Sequence, residues 1–161
     1  MEKHTHLCYR RSMDCGIVAR RSGREVHYSI TWSALRTADR WSIAKSVPAV
    51  GGVYEVYWMD DRKHLRLLTV ASAAFGGLRS EIRRFIDPEL NGAPRLRAIL
   101  ADDSVKIFFR YASVDSAKDM ADVVWFFRKT YFPENPGVAH SGRYDHIFMD
   151  EAAPDKVHWV D

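Results

Sequence analysis

Residues 51–57, GGVYEVY, have the pattern of a buried strand that opens on a glycine pair and carries two tyrosines three residues apart. We predict that this strand runs from Val53 to Met59. A polar turn, DDRK at 60–63, comes next, and a second apolar segment runs from Leu65 to Ala71. Two strands joined by so short a turn pair antiparallel. An antiparallel hairpin therefore stands at the centre of the predicted fold.

Three helices and one more strand follow this hairpin. Leu78–Ile86 has apolar residues at helical spacing and ends at an Asp-Pro pair, and a shorter helix begins at Pro94 and ends at Leu100. Residues 105–111 alternate as a strand, and the longest helix runs over 116–131, with Ser116 and Asp119 resembling a capping box. These elements predict an α+β fold with a small antiparallel sheet flanked by helices.

The predicted domain has additions at both ends. Residues 1–46 contain a hairpin with arms at 16–20 and 24–32 and a short helix over 33–41, all packed on the domain. The domain proper spans residues 47–161 and ends in a second hairpin. The arms of that hairpin are residues 144–149 and 156–160, with its turn at 153–155.

Composition and charge narrow the possible functions. The chain is 47% hydrophobic and 12% aromatic, enough to bury a core without disulfides. The net charge is only +3, but residues 1–50 hold nine Lys and Arg against four Asp and Glu, which places any basic patch mainly in the first third. No apolar run approaches the roughly 20 residues of a membrane span, and the N-terminus lacks the apolar stretch that is typical of a signal peptide. We therefore expect a cytoplasmic protein that does not partner with a membrane.

The first fifteen residues contain possible zinc ligands. Imidazole and thiolate are the groups that tetrahedral zinc prefers, and this segment holds His4, His6, Cys8 and Cys15. Their spacing fits no common zinc pattern. An ordinary frayed terminus is the alternative interpretation.

Several polar side chains have the types that phosphodiester hydrolysis requires. Such a reaction uses a base or oriented water, a cation for the phosphate charge and usually a metal held by carboxylates. Tyr54 could orient or deprotonate water, and Arg79 or Arg83, one turn apart, could clamp the phosphate. Asp119 and Asp122 share one flank of their predicted helix and could hold Mg²⁺.

With these residues in view, the segment from about Val47 to Asn135 resembles the GIY-YIG nuclease family, whose small domain has a three-stranded antiparallel sheet flanked by helices. Gly52-Val53-Tyr54 matches the first motif. The second motif, Tyr-Ile-Gly, would fall near Leu68-Thr69-Val70, where both the tyrosine and the glycine are missing. The family's helix arginine corresponds best to Arg79, with Arg83 as the next candidate.

The resemblance also implies a metal ligand. The family's metal-binding glutamate lies on a later helix ahead of a Pro and an Asn, and Asp122, ahead of Pro133 and Asn135, occupies roughly that place, with Asp119 nearby. The resemblance thus implies a Mg²⁺-dependent phosphodiesterase. Loss of the second motif predicts that catalysis is impaired.

Each candidate residue also has a purely structural interpretation. Tyr54 could equally be an aromatic residue of the core or of a cross-strand pair. The helix arginines would solvate an exposed face, and Asp119 would favour a helix N-terminus. The run Trp125-Phe126-Phe127 is interpreted as core, with a base-stacking platform as the alternative, and residues 141–144 as a turn, with an anion site at Ser141 and Arg143 as the alternative.

The favoured functional hypothesis is therefore a nucleic-acid-associated domain, most simply a DNA-binding one, with impaired catalysis. Phosphate contacts are expected from the helix arginines and from the hairpin residues Arg20, Arg21 and Arg24. Two alternatives remain open: an active Mg²⁺-dependent endonuclease using Tyr54 and Arg79 as catalytic residues, and a protein-interaction module using exposed aromatics such as Trp58 or Trp159. The oligomeric state is left undetermined.

Overall fold

Two small sheets and four helices form the part of the chain that the structure, a computed structural model, describes, which is residues 15–155. The strands are β1 (Ile17–Ser22), β2 (Glu25–Thr31), β3 (Arg36–Thr37), β4 (Gly52–Met59), β5 (Leu65–Ala73), β6 (Ile107–Ser113) and β7 (His146–Ala152). The helices are α1 (Arg40–Ser46), α2 (Gly77–Phe85), α3 (Pro94–Ala101) and α4 (Ala117–Tyr131), with a 3₁₀ turn at Pro88–Leu90.

The larger sheet is antiparallel, with strand order β3-β6-β4-β5. Strand β4 is central, so Tyr54 lies between Ala71 of β5 and Tyr111 of β6. The predicted central hairpin and the α+β class with a small sheet flanked by helices are confirmed.

The smaller sheet joins the two ends of the described chain. Strands β1 and β2 form the predicted N-terminal hairpin, which turns at Gly23 with a positive φ of 58°. Strand β7 pairs in parallel with β2, with Val26 opposite Ile147. The final strand therefore completes the N-terminal sheet. The second arm of the predicted C-terminal hairpin, residues 156–160, lies outside the described residues.

The larger sheet has a hydrophobic core on each face, because successive side chains of β4 point to opposite sides. Val53 belongs to the core that contains α4 and the smaller sheet. Tyr54 and Val56 belong to the core that contains α1 and α2. We call these two sides the α4 face and the α2 face. Tyr54 lies on the α2 face, and α4, which carries Asp119 and Asp122, lies on the α4 face.

The short helix predicted over residues 33–41 is wrong. Ser33 instead lies against the edge of β6, where its backbone N–H donates to the carbonyl of Tyr111 (2.8 Å) and its Oγ accepts from the Tyr111 N–H (3.0 Å). The helix of this region is α1, whose N-cap is Asp39, with Oδ1 accepting from the backbone N–H of Ser42 at 2.8 Å. Both Ser33 and Asp39 are good caps, but only Asp39 precedes a helix here.

A glycine pair allows α2 to dock on the loop before β4. Gly76 and Gly77 have φ values of 81° and 80°, which side-chain-bearing residues rarely adopt. A Cβ on Gly77 would lie 2.9 Å from the carbonyl carbon of Ala49. The close approach lets the N–H of Leu78 donate to the carbonyl of Val50 at 2.8 Å. Among residues 15–155, no helix is long and apolar enough to cross a membrane.

Candidate functional site

Tyr54, the candidate base, is a buried residue of the α2 face. It is 3% exposed, and its ring meets the ring of Phe85 edge-on, with the centroids 6.4 Å apart. Burial raises the pKa of Tyr54 to about 12, the Glu81 charge adds to the rise, and Arg84 opposes it. The hydroxyl therefore stays protonated at neutral pH. It can donate a hydrogen bond but is a poor general base.

Arg79, the candidate phosphate clamp, is tied to the backbone. Its Nε donates to the carbonyl of Val47 at 2.8 Å, which connects α2 to the chain that enters β4. This contact gives Arg79 a structural role at the start of the central strand.

The neighbouring arginines line an open cleft between α1 and α2 of about 510 Å³. Arg40 is the first residue of α1, and Arg83 and Arg84 lie in the last turn of α2. Arg84 pairs with Glu81 at 2.9 Å, whereas Arg40 and Arg83 have no carboxylate partner among residues 15–155. We call this feature the arginine cleft. Arg83 was predicted as a phosphate contact, but Arg40 was missed, since the helix of this region was predicted over residues 33–41 whereas α1 begins at Arg40.

Tyr54 opens on a smaller cleft of about 200 Å³ beside the arginine cleft. Arg84 and Leu90 line both, so the two clefts are neighbours on the α2 face. The structure thus brings Tyr54 close to Arg84 and Glu81.

The two predicted metal ligands, Asp119 and Asp122, lie on α4, across the sheet from Tyr54. Both are buried, and Asp122 is completely inaccessible. Since β4 directs Tyr54 toward α2 and Val53 toward α4, the sheet separates the proposed catalytic tyrosine from the proposed metal ligands. The structure does not bring them together.

Arginines occupy the oxygens of these two carboxylates. Arg143 Nη2 lies 2.9 Å from both Asp119 Oδ1 and Asp122 Oδ2, and Arg21 Nη2 lies 2.9 and 3.0 Å from the two oxygens of Asp119. The Tyr28 hydroxyl lies within 3.0 Å of both carboxylates. Asp122 Oδ1 also accepts from the backbone N–H of Ser141 at 2.7 Å.

These hydrogen bonds connect α4 to β1 and to the segment 141–143, which is a structural role. Desolvation opposes ionisation of Asp119, but hydrogen bonds from Arg143, Tyr28 and Arg21 hold its pKa below the ordinary value. Within residues 15–155, no group of three or more His, Cys, Asp or Glu side chains could hold a metal ion. A Mg²⁺ ion at Asp119 and Asp122 would have to displace two guanidinium groups. Ser141 and Arg143, considered above as an anion site, bind the protein's own aspartates.

The three hairpin arginines also differ in whether they are available to contact a phosphate. Arg21 is bound to Asp119 and donates through Nε to the Tyr144 hydroxyl at 2.6 Å. Arg24 makes two hydrogen bonds to Asp145, at 2.6 and 2.7 Å. Arg20 is exposed on β1. Two of these three predicted phosphate contacts are therefore already neutralised by carboxylates.

A buried ion pair on the α4 face was missed by the sequence reasoning. Glu55 and Arg110 are register partners on β4 and β6, and Arg110 Nε lies 2.6 Å from Glu55 Oε2. The guanidinium also lies over the Trp32 ring, with its carbon 4.6 Å from the ring centroid. The available signal was two opposite charges within otherwise apolar strands. Such residues are rarely buried unless paired.

Of the remaining predicted site residues, His4, His6, Cys8 and Trp159 lie outside the described residues, and Trp58 is half-buried. The most exposed aromatics in residues 15–155 are Phe75, at 90%, and Trp41, at 80%. Trp41 directly follows Arg40 of the arginine cleft.

Comparison with known proteins identifies the family of the chain. No curated protein and no solved structure shows significant similarity to it. A family model described as "Uncharacterised protein" matches residues 16–161, which includes all the elements and clefts described above. The chain therefore belongs to this family of uncharacterised proteins.

Proposed function

We propose that this protein binds nucleic acid through the phosphate backbone, using the arginine cleft, and that it does not cleave the bound strand. The observation that carries the proposal is the convergence of Arg40, Arg83 and Arg84 on one open cleft. A guanidinium offers a planar fork of donors that matches phosphate oxygens.

The charge balance of the cleft supports an anionic ligand. Three guanidiniums and one carboxylate, that of Asp87, line it. Asp87 Oδ1 is occupied by the backbone N–H of Glu89 at 3.0 Å, where it caps the 3₁₀ turn. Arg40 and Arg83 lack carboxylate partners among residues 15–155, so phosphates would not have to break ion pairs to reach them.

The resemblance to GIY-YIG nucleases also supports a nucleic-acid partner, since Tyr54 of the first motif and the arginine-bearing helix lie on the same side of the sheet as the cleft. Binding without cleavage is supported by three observations. The second motif is missing, the Tyr54 hydroxyl stays protonated, and Asp119 and Asp122 lie across the sheet in contact with arginines.

Salt-dependent binding of a fluorescent oligonucleotide tests the proposal. The double variant Arg40→Gln/Arg83→Gln removes two cleft charges, and Arg62→Gln/Arg95→Gln removes two exposed charges elsewhere as the matched control. Each lost phosphate contact should make the slope of log K against log salt shallower by about 0.9 on duplex DNA or about 0.7 on single strands. We therefore expect the cleft variant to lose about 1.8 or about 1.4 of slope, measured by anisotropy between about 50 and about 200 mM salt.

If the two double variants behave alike, the cleft is not the binding surface. If wild-type affinity does not change with salt, phosphate binding itself is rejected.

A separate cleavage assay tests the absence of chemistry. Plasmid and branched DNA incubated with Mg²⁺ or Mn²⁺ should remain intact with the wild-type protein and with Arg79→Ala. Cleavage by the wild type that is lost in Arg79→Ala would overturn this part of the proposal.

Exposed aromatic side chains favour one alternative, a protein-interaction module. Trp41 and Phe75 are largely exposed, which is unusual for side chains of their size. Salt-independent self-association in analytical ultracentrifugation, reduced by Trp41→Ala, would favour this function over nucleic-acid binding.

A further inference from the structure

A third cleft lies between α4, the segment 140–145 and β7, with a volume of about 430 Å³. This volume is within the range of small-molecule sites. We call it the aromatic cleft. It is built on α4 and the smaller sheet, so it lies on the opposite side of the larger sheet from the arginine cleft.

Aromatic rings form its walls. Trp125 of α4 meets the ring of His140 edge-on, with centroids 4.9 Å apart and planes at 68°. Phe148 of β7 is 44% exposed, and its ring stacks on the ring of His27 with the centroids 4.5 Å apart. The ring of His146 also lies near it, with the centroids 6.5 Å apart. The Trp125 segment was predicted to be core. Phe127 does occupy the core, whereas Trp125 is only partly buried and lines the cleft.

Lys129 and His140 give this cleft two hydrogen-bond donors. Lys129, one turn after Trp125, places its Nζ 4.8 Å from the centroid of the indole ring. His140 Nδ1 accepts from the backbone N–H of Gly142 at 3.0 Å. In the neutral imidazole the other nitrogen, Nε2, then carries the hydrogen and is a donor.

The carboxylate that lines the cleft is already neutralised. Both oxygens of Asp145 accept from Arg24, at 2.6 and 2.7 Å. Lys129 has no carboxylate partner among residues 15–155. The cleft thus combines aromatic walls with one uncompensated positive charge and a neighbouring imidazole donor.

We propose that the aromatic cleft binds a small planar aromatic anion. The ring would pack against the indole of Trp125 and the exposed ring of Phe148, and the anionic group would accept hydrogen bonds from Lys129 Nζ and His140 Nε2. A neutral aromatic ligand would not compensate the charge of the Lys129 ammonium group. An aliphatic anion would not pack against the aromatic walls. This site is independent of nucleic-acid binding at the arginine cleft.

Calorimetric titration with naphthoate, and with naphthamide as its neutral analogue, tests the proposal on the full chain. Lys129→Met removes the charge and keeps the length of the side chain, and Lys118→Met, an exposed lysine of the same helix, is the matched control. We expect naphthoate to bind the wild type more tightly than naphthamide does, and Lys129→Met to weaken naphthoate about tenfold, or about 1.4 kcal/mol. Lys118→Met should change neither affinity.

Ring-current shifts at the His140 and Trp125 side chains, followed by NMR during the wild-type titration, locate the bound ring without depending on any variant. The proposal is overturned if naphthoate does not bind the wild type at millimolar concentration. It is also overturned if naphthamide binds equally well, if the shifted signals lie elsewhere, or if the two lysine variants behave alike.

Discussion

Replacing Arg110 by Met tests the buried ion pair of the central sheet. Glu55 is completely buried, and the side chain of Arg110 is 6% exposed. Oε2 of Glu55 accepts from Arg110 Nε and from the Tyr57 hydroxyl, whereas Oε1 has no hydrogen-bond partner among residues 15–155. Removing the guanidinium would leave a buried carboxylate whose main remaining partner is one hydroxyl group.

The expected cost is large. Breaking a buried pair by removing one partner costs about 3 to 5 kcal/mol, out of a total unfolding free energy of about 5 to 15 kcal/mol for a protein of this kind. Met retains much of the packing volume next to Trp32, so most of the loss is electrostatic. A control variant, Arg84→Met, breaks an ion pair in which the arginine side chain is 67% exposed, and it should cost less than about 1 kcal/mol.

The loss should also depend on pH. Desolvation raises the pKa of Glu55, and in the wild type the charge of Arg110 and hydrogen bonds from Tyr57 and Arg110 oppose this rise. Without Arg110 the folded-state pKa moves further above the unfolded value of about 4.3. A group with a raised pKa contributes stability below its unfolded pKa, and this contribution is lost as pH rises through the folded value. Between about pH 5 and about pH 8, Arg110→Met should therefore lose more stability than the wild type does.

Urea unfolding followed by circular dichroism at the two pH values measures these effects. The double variant Glu55→Gln/Arg110→Met removes the buried charge and should recover at least about 2 kcal/mol of the loss at the higher pH. A loss below about 1 kcal/mol for Arg110→Met, or no recovery in the double variant, would refute the electrostatic explanation.

Two further predictions concern stability. Asp119→Asn should lower the unfolding free energy at neutral pH by about 1 to 3 kcal/mol, because it removes a carboxylate that accepts from Arg21 and Arg143. Since the pKa of Asp119 is held below its ordinary value, its contribution is present above about pH 4 and lost as pH falls further, so wild type and variant should converge in acid. Identical acid-unfolding curves for the wild type and Asp119→Asn over the whole pH range would contradict this account. Gly77→Ala should destabilise by more than about 1 kcal/mol in thermal unfolding, because φ is 80° and the added Cβ would meet the backbone of Ala49, whereas Gly92→Ala, with open space around it, should change little.

Local sequence patterns predicted most of the secondary structure. The apolar runs at residues 51–59 and 65–71 and the helical spacing of apolar residues in α2 and α4 are strong local signals, and each element is found within about two residues of its predicted bounds at one or both ends. The prediction for residues 33–46 was wrong because Ser33 and Asp39 carry similar capping signals. Only the contact of Ser33 with the edge of β6 distinguishes them.

The candidate site was predicted less completely. The α2 arginines were found as a group, and the structure adds Arg40 from α1 to form a cleft. Asp119 and Asp122 were correctly placed on one side of their helix, but nothing local indicates that Arg21 and Arg143 neutralise them. These arginines lie 98 and 24 residues from Asp119 in the chain.

Outside residues 33–46, the sequence by itself determined which described segments form helices and strands, and which side of each element is apolar, because these properties depend on residues within one or two turns of one another. Only the tertiary structure decided that β7 pairs with β2, that the larger sheet separates Tyr54 from the two aspartates, and which arginines remain without carboxylate partners among the described residues. The physical reason is that the charge available at a surface depends on which side chains meet in space. In this chain, the contacts that neutralise Asp119 join residues that are far apart in sequence.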